Sequence, residues 1–110
     1  MRSHRCTIEQ MAILEPALSE SVGATFAKVL KDATDEAARR GVPYQAAEDF
    51  LLGHLTILLA VAFGIQPNGK LSDGCMLAIN EAEPVIFKEG WLDNIFDPKA
   101  VKASVEAICK

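Results

Sequence analysis

The chain has 110 residues, half of them hydrophobic and 24% charged, with a net charge of −4 and a pI near 5.1. That balance excludes a disordered class, and the lack of a basic run with interleaved aromatics excludes nucleic acid as a partner. The length suits one domain with a modest core, and with aromatics at only 6% that core has to be aliphatic.

The opening stretch MRSHRCTIEQ has no apolar segment of the secretory kind. His4 and Arg5 suit either an anion near the first helix or a loose chain end. Thr7-Ile8-Glu9-Gln10 reads as a capping box, in which Thr7 accepts from the Gln10 N–H and the Gln10 side chain reaches back. Met11, Leu14, Leu18, Val22, Phe26, Val29, Leu30, Ala33 and Ala37 then recur at helical spacing. Pro16 removes one N–H from this run, which predicts either one bent helix or a short helix feeding a long one. Arg39-Arg40, Gly41 and Pro43 mark its end.

Pro43 suits the first turn of a second helix that runs to about Phe63, with Gly64 beyond its end. Its central stretch, EDFLLGHLTILLAVAFG, carries no charge over the 14 residues from Phe50 to Phe63. A bilayer-spanning helix needs about 20 such residues, so no membrane crossing is expected. A helix apolar on every side must still be covered, and so small a chain is hard pressed to do it alone. Partner helices in a homodimer are expected to complete the burial.

QPNGKLSDG reads as a loop with an Asn68-Gly69 turn, and Ser72 or Asp73 caps a third helix through Met76, Leu77 and Ile79. Pro84 is expected to break or kink that helix. Trp91 to Phe96 fits one short turn, and Asp97-Pro98 opens a last helix with Val101, Val105 and Ile108 on one face. The cysteines Cys6, Cys75 and Cys109 have neither metal spacing nor the even count of a disulfide framework, which fits a reducing cytoplasm. Cys75 and Cys109 read as small apolar fillers.

No nucleotide-binding or metalloprotease motif is present, so candidate chemistry rests on polar residues set among apolar ones. Glu9, Glu15, Ser19 and Glu20 lie on the first helix, and Glu15 and Ser19, four apart, are expected to share a face. These carboxylates either face solvent, favoured by the positive helix start, or are held for a purpose. His54 sits between Leu51 and Leu58 with no polar face of its own. It is either a buried neutral imidazole with ordinary partners, or a proton relay or metal ligand facing a shared cleft. Thr56 is expected to bond the preceding turn.

RCTIEQMAILEPALSESVGATF together with RRGVPYQAAEDFLLGHLTILLAVAFG resembles the all-helical C-terminal domain of 6-phosphogluconate-dehydrogenase-like oxidoreductases. More narrowly, it is similar to the phosphogluconate dehydrogenase C-terminal family as found in D-apionate oxidoisomerase-type proteins. The likeness covers roughly Arg5 to Ile108, and EQMAILEPALSE and DFLLGHL are its most specific parts. It implies an all-α helical bundle with a long kinked first helix and a buried central second helix. It also implies a two-part parent, in which a separate domain binds NAD or NADP while the helical domain closes the substrate cleft and makes the dimer. The glycine-fingerprinted nucleotide half is missing from these 110 residues, so the chain is expected to be part of a longer protein or a gene for this half alone. By itself it is expected not to transfer hydride.

IEQMAIL is also similar to the Glu-Gln-aliphatic segment of ketol-acid reductoisomerases, which implies Glu9 as a ligand for a divalent metal such as magnesium. Arg5 stands where that family carries an aspartate, which counts against a two-magnesium site. The acid/base lysine of ordinary 6-phosphogluconate dehydrogenases has no counterpart before Lys28.

The expectation is therefore the substrate-side domain of a cytoplasmic, homodimeric NAD(P)-dependent oxidoreductase acting on a sugar acid. Glu9 and Ser19 would bind substrate, Glu9 would hold any metal, and His54 or Glu15 would move the proton. The alternative is a non-catalytic helical dimerisation module with His54 in a structural role.

Overall fold

Local rules set most of the helix boundaries. The computed structural model describes residues 4–108, and among them are six α-helices and one π-helical segment, with no β-strand. In chain order these are α1 (Ile8–Ala12), the π segment (Ile13–Ala24), α2 (Thr25–Arg39), α3 (Tyr44–Ala62), α4 (Asp73–Ile86), α5 (Trp91–Phe96) and α6 (Pro98–Ile108). The expectation for Cys109 lies outside the described residues.

The capping box forms as its sequence predicts. The Gln10 N–H donates to Thr7 Oγ1 at 3.1 Å, and the Thr7 N–H donates to Gln10 Oε1 at 2.8 Å. The next segment departs from expectation. Pro16 does not divide two α-helices. It lies inside 12 residues of π winding, in which the backbone bonds i→i+5, and the chain then returns to α geometry at Thr25. Pro16 lacks an N–H and its ring crowds the preceding turn; the wider π winding carries the helical path past it.

Two helix ends close on glycine in the same way. Beyond α2, the Val42 N–H donates to the Ala37 carbonyl and the Gly41 N–H to that of Ala38, both at 3.1 Å, with Gly41 at φ +104°. Beyond α3, the Ile65 N–H donates to Ala60 and the Gly64 N–H to Val61, with Gly64 at φ +68°. Both are Schellman motifs, whose left-handed residue strongly favours glycine. Pro43 stands one residue earlier than expected, at the cap rather than in the first turn of α3. Ser72 is the cap of α4, accepting from the Cys75 N–H at 3.1 Å. Pro84 does not break α4, which runs on to Ile86. Asp97 accepts from the Lys99 N–H at 2.8 Å and starts α6.

The described residues fall into two units, each taken by itself. The first holds residues 4–29 and 89–108. Here α6 and α5 pack on the π segment, and α1 packs on α6. Ala17, Pro16 and Val101 are buried, and the Phe26 and Trp91 rings meet with centroids 6.3 Å apart. The second unit is Leu30–Lys88. Thr34 is buried there, its hydroxyl donating to the Leu30 carbonyl at 2.8 Å. Lys31 bonds Asp35 at 2.6 Å and lies 4.9 Å from the Tyr44 ring centroid, tying α2 to the start of α3.

The chain does not itself bury its central apolar helix. No residue of α3 is buried, and Phe50 and Phe63 are 70% and 76% exposed. The helix matches the expected run from Pro43 to about Phe63. It has 19 residues and a mean hydropathy of 1.3, so by length and composition it could cross a bilayer. The whole chain exposes 9252 Å². A compact monomer of its mass exposes only about 6,000 Å², and two separate compact halves about 7,000 Å².

Candidate functional site

The wall that carries Glu9 and Glu15 is built by α1, the π segment and α6. A groove of about 260 Å³ is lined by Ile8, Met11, Ala12, Glu15, Pro16, Glu20 and Val105. The companion of Glu15 in this groove is Glu20, not Ser19. The expected pairing of Glu15 with Ser19 assumed α geometry, whereas this stretch is π-wound. Glu15, Ser19 and Glu20 are all exposed, and among the described residues no side-chain bond to any of them is seen.

Glu9 lines a different groove, of about 470 Å³, with Ala12, Ile13, Phe96, Pro98, Val101, Lys102 and Val105. It carries its charge in the first turn of α1, where the helix dipole favours an anion. Lys102 gives this groove a cation as well as a carboxylate. An oxygen-rich ligand could therefore meet both signs of charge along one apolar wall.

His54 belongs to the other unit. It is exposed in the single chain. Its Nδ1 lies 2.9 Å from the Phe50 carbonyl oxygen, and its ring stacks on that of Phe50 with centroids 4.2 Å apart. A carbonyl only accepts, so Nδ1 carries the proton and donates, which leaves Nε2 as the free nitrogen. His54 lines a groove of about 590 Å³ with Ala33, Thr34, Ala37, Val42, Ala46, Ala47, Phe50 and Leu51. Thr56 bonds back to the Leu52 carbonyl at 3.0 Å, as expected of a helix hydroxyl.

The four sequence candidates thus fall into separate places. Glu9 and Glu15 line two grooves of one unit, Ser19 lines neither, and His54 lines a third groove in the other unit. Among the described residues no three His, Cys, Asp or Glu side chains converge as a metal site, so Glu9 has no partner ligands for magnesium there. Nor do the described residues offer the strand, glycine turn and helix that would seat a dinucleotide.

Three residues that bear on these grooves were missed in the sequence. Glu20 was seen as a helix residue but not as the companion of Glu15; Pro16, four positions earlier, was the available sign that α spacing would not hold. Lys102 comes from a helix remote in sequence, and Phe50 was read only as part of an apolar run.

Comparison with known proteins adds what the grooves alone do not. The family model described as phosphogluconate dehydrogenase (decarboxylating) C-term matches residues 1–109. A D-apionate oxidoisomerase from Rhizobium rhizogenes (strain K84) is 49% identical over 108 residues, which is 98% of this chain and 38% of that protein. The D-apionate oxidoisomerase of Cupriavidus necator is 46% identical over 98% of this chain and 38% of its own length. A solved structure, a semialdehyde dehydrogenase NAD-binding protein from Cupriavidus necator in complex with calcium and NAD, is similar with a TM-score of 0.93 at 46% identity. That likeness covers 98% of this chain and 38% of that one.

Proposed function

Since the chain belongs to the phosphogluconate dehydrogenase C-terminal family, we propose that it serves as the substrate-side and dimerisation domain of an NAD-dependent oxidoreductase acting on a sugar acid of the apionate kind. The observation that carries this reading is identity of 46% and 49% to D-apionate oxidoisomerases along almost the whole chain, which spans 38% of their length. NAD and any divalent metal would be held mainly by residues outside these 110, and no step is assigned to either.

This chain's own part would be to bind and orient. Glu9 and Glu15, each in its own groove, and the exposed Ser19 would accept hydrogen bonds from substrate hydroxyls, and Glu15, within the π segment, is the candidate proton acceptor. His54, exposed in a separate groove, is read as an interface residue rather than a catalytic one. A cytoplasmic setting fits Cys6 and Cys75, both free thiols.

The dimer reading rests on surface. The chain exposes about 2,000 Å² or more beyond what compact bodies of its mass would, as much as one subunit commonly gives to an obligate interface. Much of the excess is apolar and on α3 and α4. We read α3 as a helix covered by protein and not by lipid, since Glu48, Asp49 and His54 interrupt its first half.

The test is to supply the chain with a cognate nucleotide domain and to follow reduction of NAD on addition of D-apionate. Glu15→Ala should lower the rate at least about a hundredfold, as general-base removal does. An unchanged rate would remove Glu15 from the chemistry. Absence of any apionate-dependent reduction by the assembled enzyme would overturn the substrate class.

A further inference from the structure

We propose that Lys102 takes the carboxylate of the substrate, in the groove that it shares with Glu9. The inference rests on the sugar-acid reading above and adds to it an anchoring cation and a direction for the bound molecule.

A sugar acid is an anion at neutral pH, so the charge of each groove decides where its carboxylate can lie. Glu15 and Glu20 put two carboxylates and no cation into the first groove, which repels an anion. The groove of His54 is otherwise lined by apolar side chains and by Thr34, whose hydroxyl already donates to the Leu30 carbonyl. Of the three, the groove of about 470 Å³ alone offers an ammonium group. Its volume is that of a small-molecule site, and so is its make-up, an apolar wall with a few polar groups that fix orientation. Ile13, Phe96, Val101 and Val105 supply the wall, and Glu9 and Lys102 supply the polar groups.

Both charges are uncommitted. Among the described residues, neither the Glu9 nor the Lys102 side chain makes a hydrogen bond or ion pair, with the other or elsewhere. Glu106 stands four residues beyond Lys102 on α6, the ordinary place for a partner within the helix, and is not taken up. The cations of α2 differ: Lys31 is held by Asp35, and Arg39 and Arg40 by Glu36. The ammonium of Lys102 is free to meet a ligand.

The direction follows from the two signs. Glu9 repels a carboxylate and accepts from hydroxyls, and Lys102 attracts a carboxylate and only donates. A molecule with a carboxylate at one end and hydroxyls along its length therefore lies one way round. Ala12 and Val105 line both this groove and that of Glu15, so the two are neighbours along α1 and α6. Anchoring at Lys102 keeps the acid end away from the Glu15 and Glu20 carboxylates and leaves the hydroxyl end to approach Glu15.

The experiment uses the chain assembled with its cognate nucleotide domain. NAD reduction is followed over a range of D-apionate concentrations, and D-apionate binding is measured by calorimetry. Lys102→Met should raise KM and Kd about tenfold or more, as loss of a hydrogen bond to a charged group does, with kcat little changed. Lys102→Arg keeps the charge and should stay near the wild type. Lys99→Met removes a lysine of α6 that lines none of the three grooves and should change nothing. Both lysines are exposed, so neither change endangers the fold. Unchanged KM and Kd in Lys102→Met, a loss confined to kcat, an equal loss in Lys99→Met, or a Lys102→Arg enzyme as weak as Lys102→Met would each overturn the assignment and leave the sugar-acid reading in place. A wild-type enzyme that neither binds nor oxidises D-apionate would instead defeat that reading, and this inference with it.

Discussion

His54 donates from Nδ1 to the carbonyl oxygen of Phe50 at 2.9 Å while its ring stacks on the same residue at 4.2 Å. One neighbour, a single turn away, therefore fixes both the tautomer and the plane of the imidazole. The neutral side chain is expected in its Nδ1–H form, with Nε2 bare. Long-range proton–nitrogen correlation spectra at about pH 8 should show the nitrogen shift of an unprotonated Nε2. A spectrum with Nε2 protonated would contradict the geometry.

Two glycines, one inside α3 and one just beyond its end, should respond to the same substitution with opposite signs. Gly64 sits at φ +68°, where a side chain costs about 1–2 kcal/mol, so Gly64→Ala should lower stability by that amount. Gly53 lies inside α3, and a methyl group there would meet nothing within 4 Å, so Gly53→Ala should raise stability by about 0.5–1 kcal/mol. Urea midpoints of the two variants would measure both.

Ala17 is 1% exposed and stands next to Pro16 on the π segment, against which α5 and α6 pack. Ala17→Leu should lower stability by about 1–3 kcal/mol through overpacking. Ala27→Leu, at an exposed position on α2, is the matched control and should change little. Chemical denaturation followed by the fluorescence of Trp91, which meets Phe26 in the same unit, would read the difference.

The ammonium of Lys31 is held above the ordinary lysine range of about 10.5, first by its bond to Asp35 and then by that to Tyr44. A raised folded-state value means the contribution to stability is complete below the unfolded value and is lost as pH rises through the folded one. Lys31→Met should therefore be less stable than the wild type near neutral pH, and the gap should close above about pH 10.5. The pair is fully exposed, so the gap should be small and should shrink in salt. Thermal melts at neutral and high pH would follow it.

The features legible in the sequence are those decided within one turn of chain. The Thr7–Gln10 box, the Ser72 and Asp97 caps and the glycine closures at Gly41 and Gly64 each depend on residues two to five positions apart. The π winding was not legible, because i→i+4 and i→i+5 bonding use the same residues and Pro16 is compatible with a kink or a wider turn. The lack of cover over α3 was legible: a helix uncharged from Phe50 onward in a chain of 110 residues asks for more burial than the chain itself supplies.

The winding around Pro16 has a consequence for how this chain tolerates change in length. In an α-helix, adding or removing one residue swings everything downstream by about 100°, which would turn Phe26 away from Trp91. A stretch already wound more loosely than its flanks has slack to take up, since one tightened turn can absorb a lost residue. Ile13–Ala24 thus acts as a vernier between the capped start of the helix and the Phe26–Trp91 contact, and a one-residue deletion there should be borne far better than one within α3.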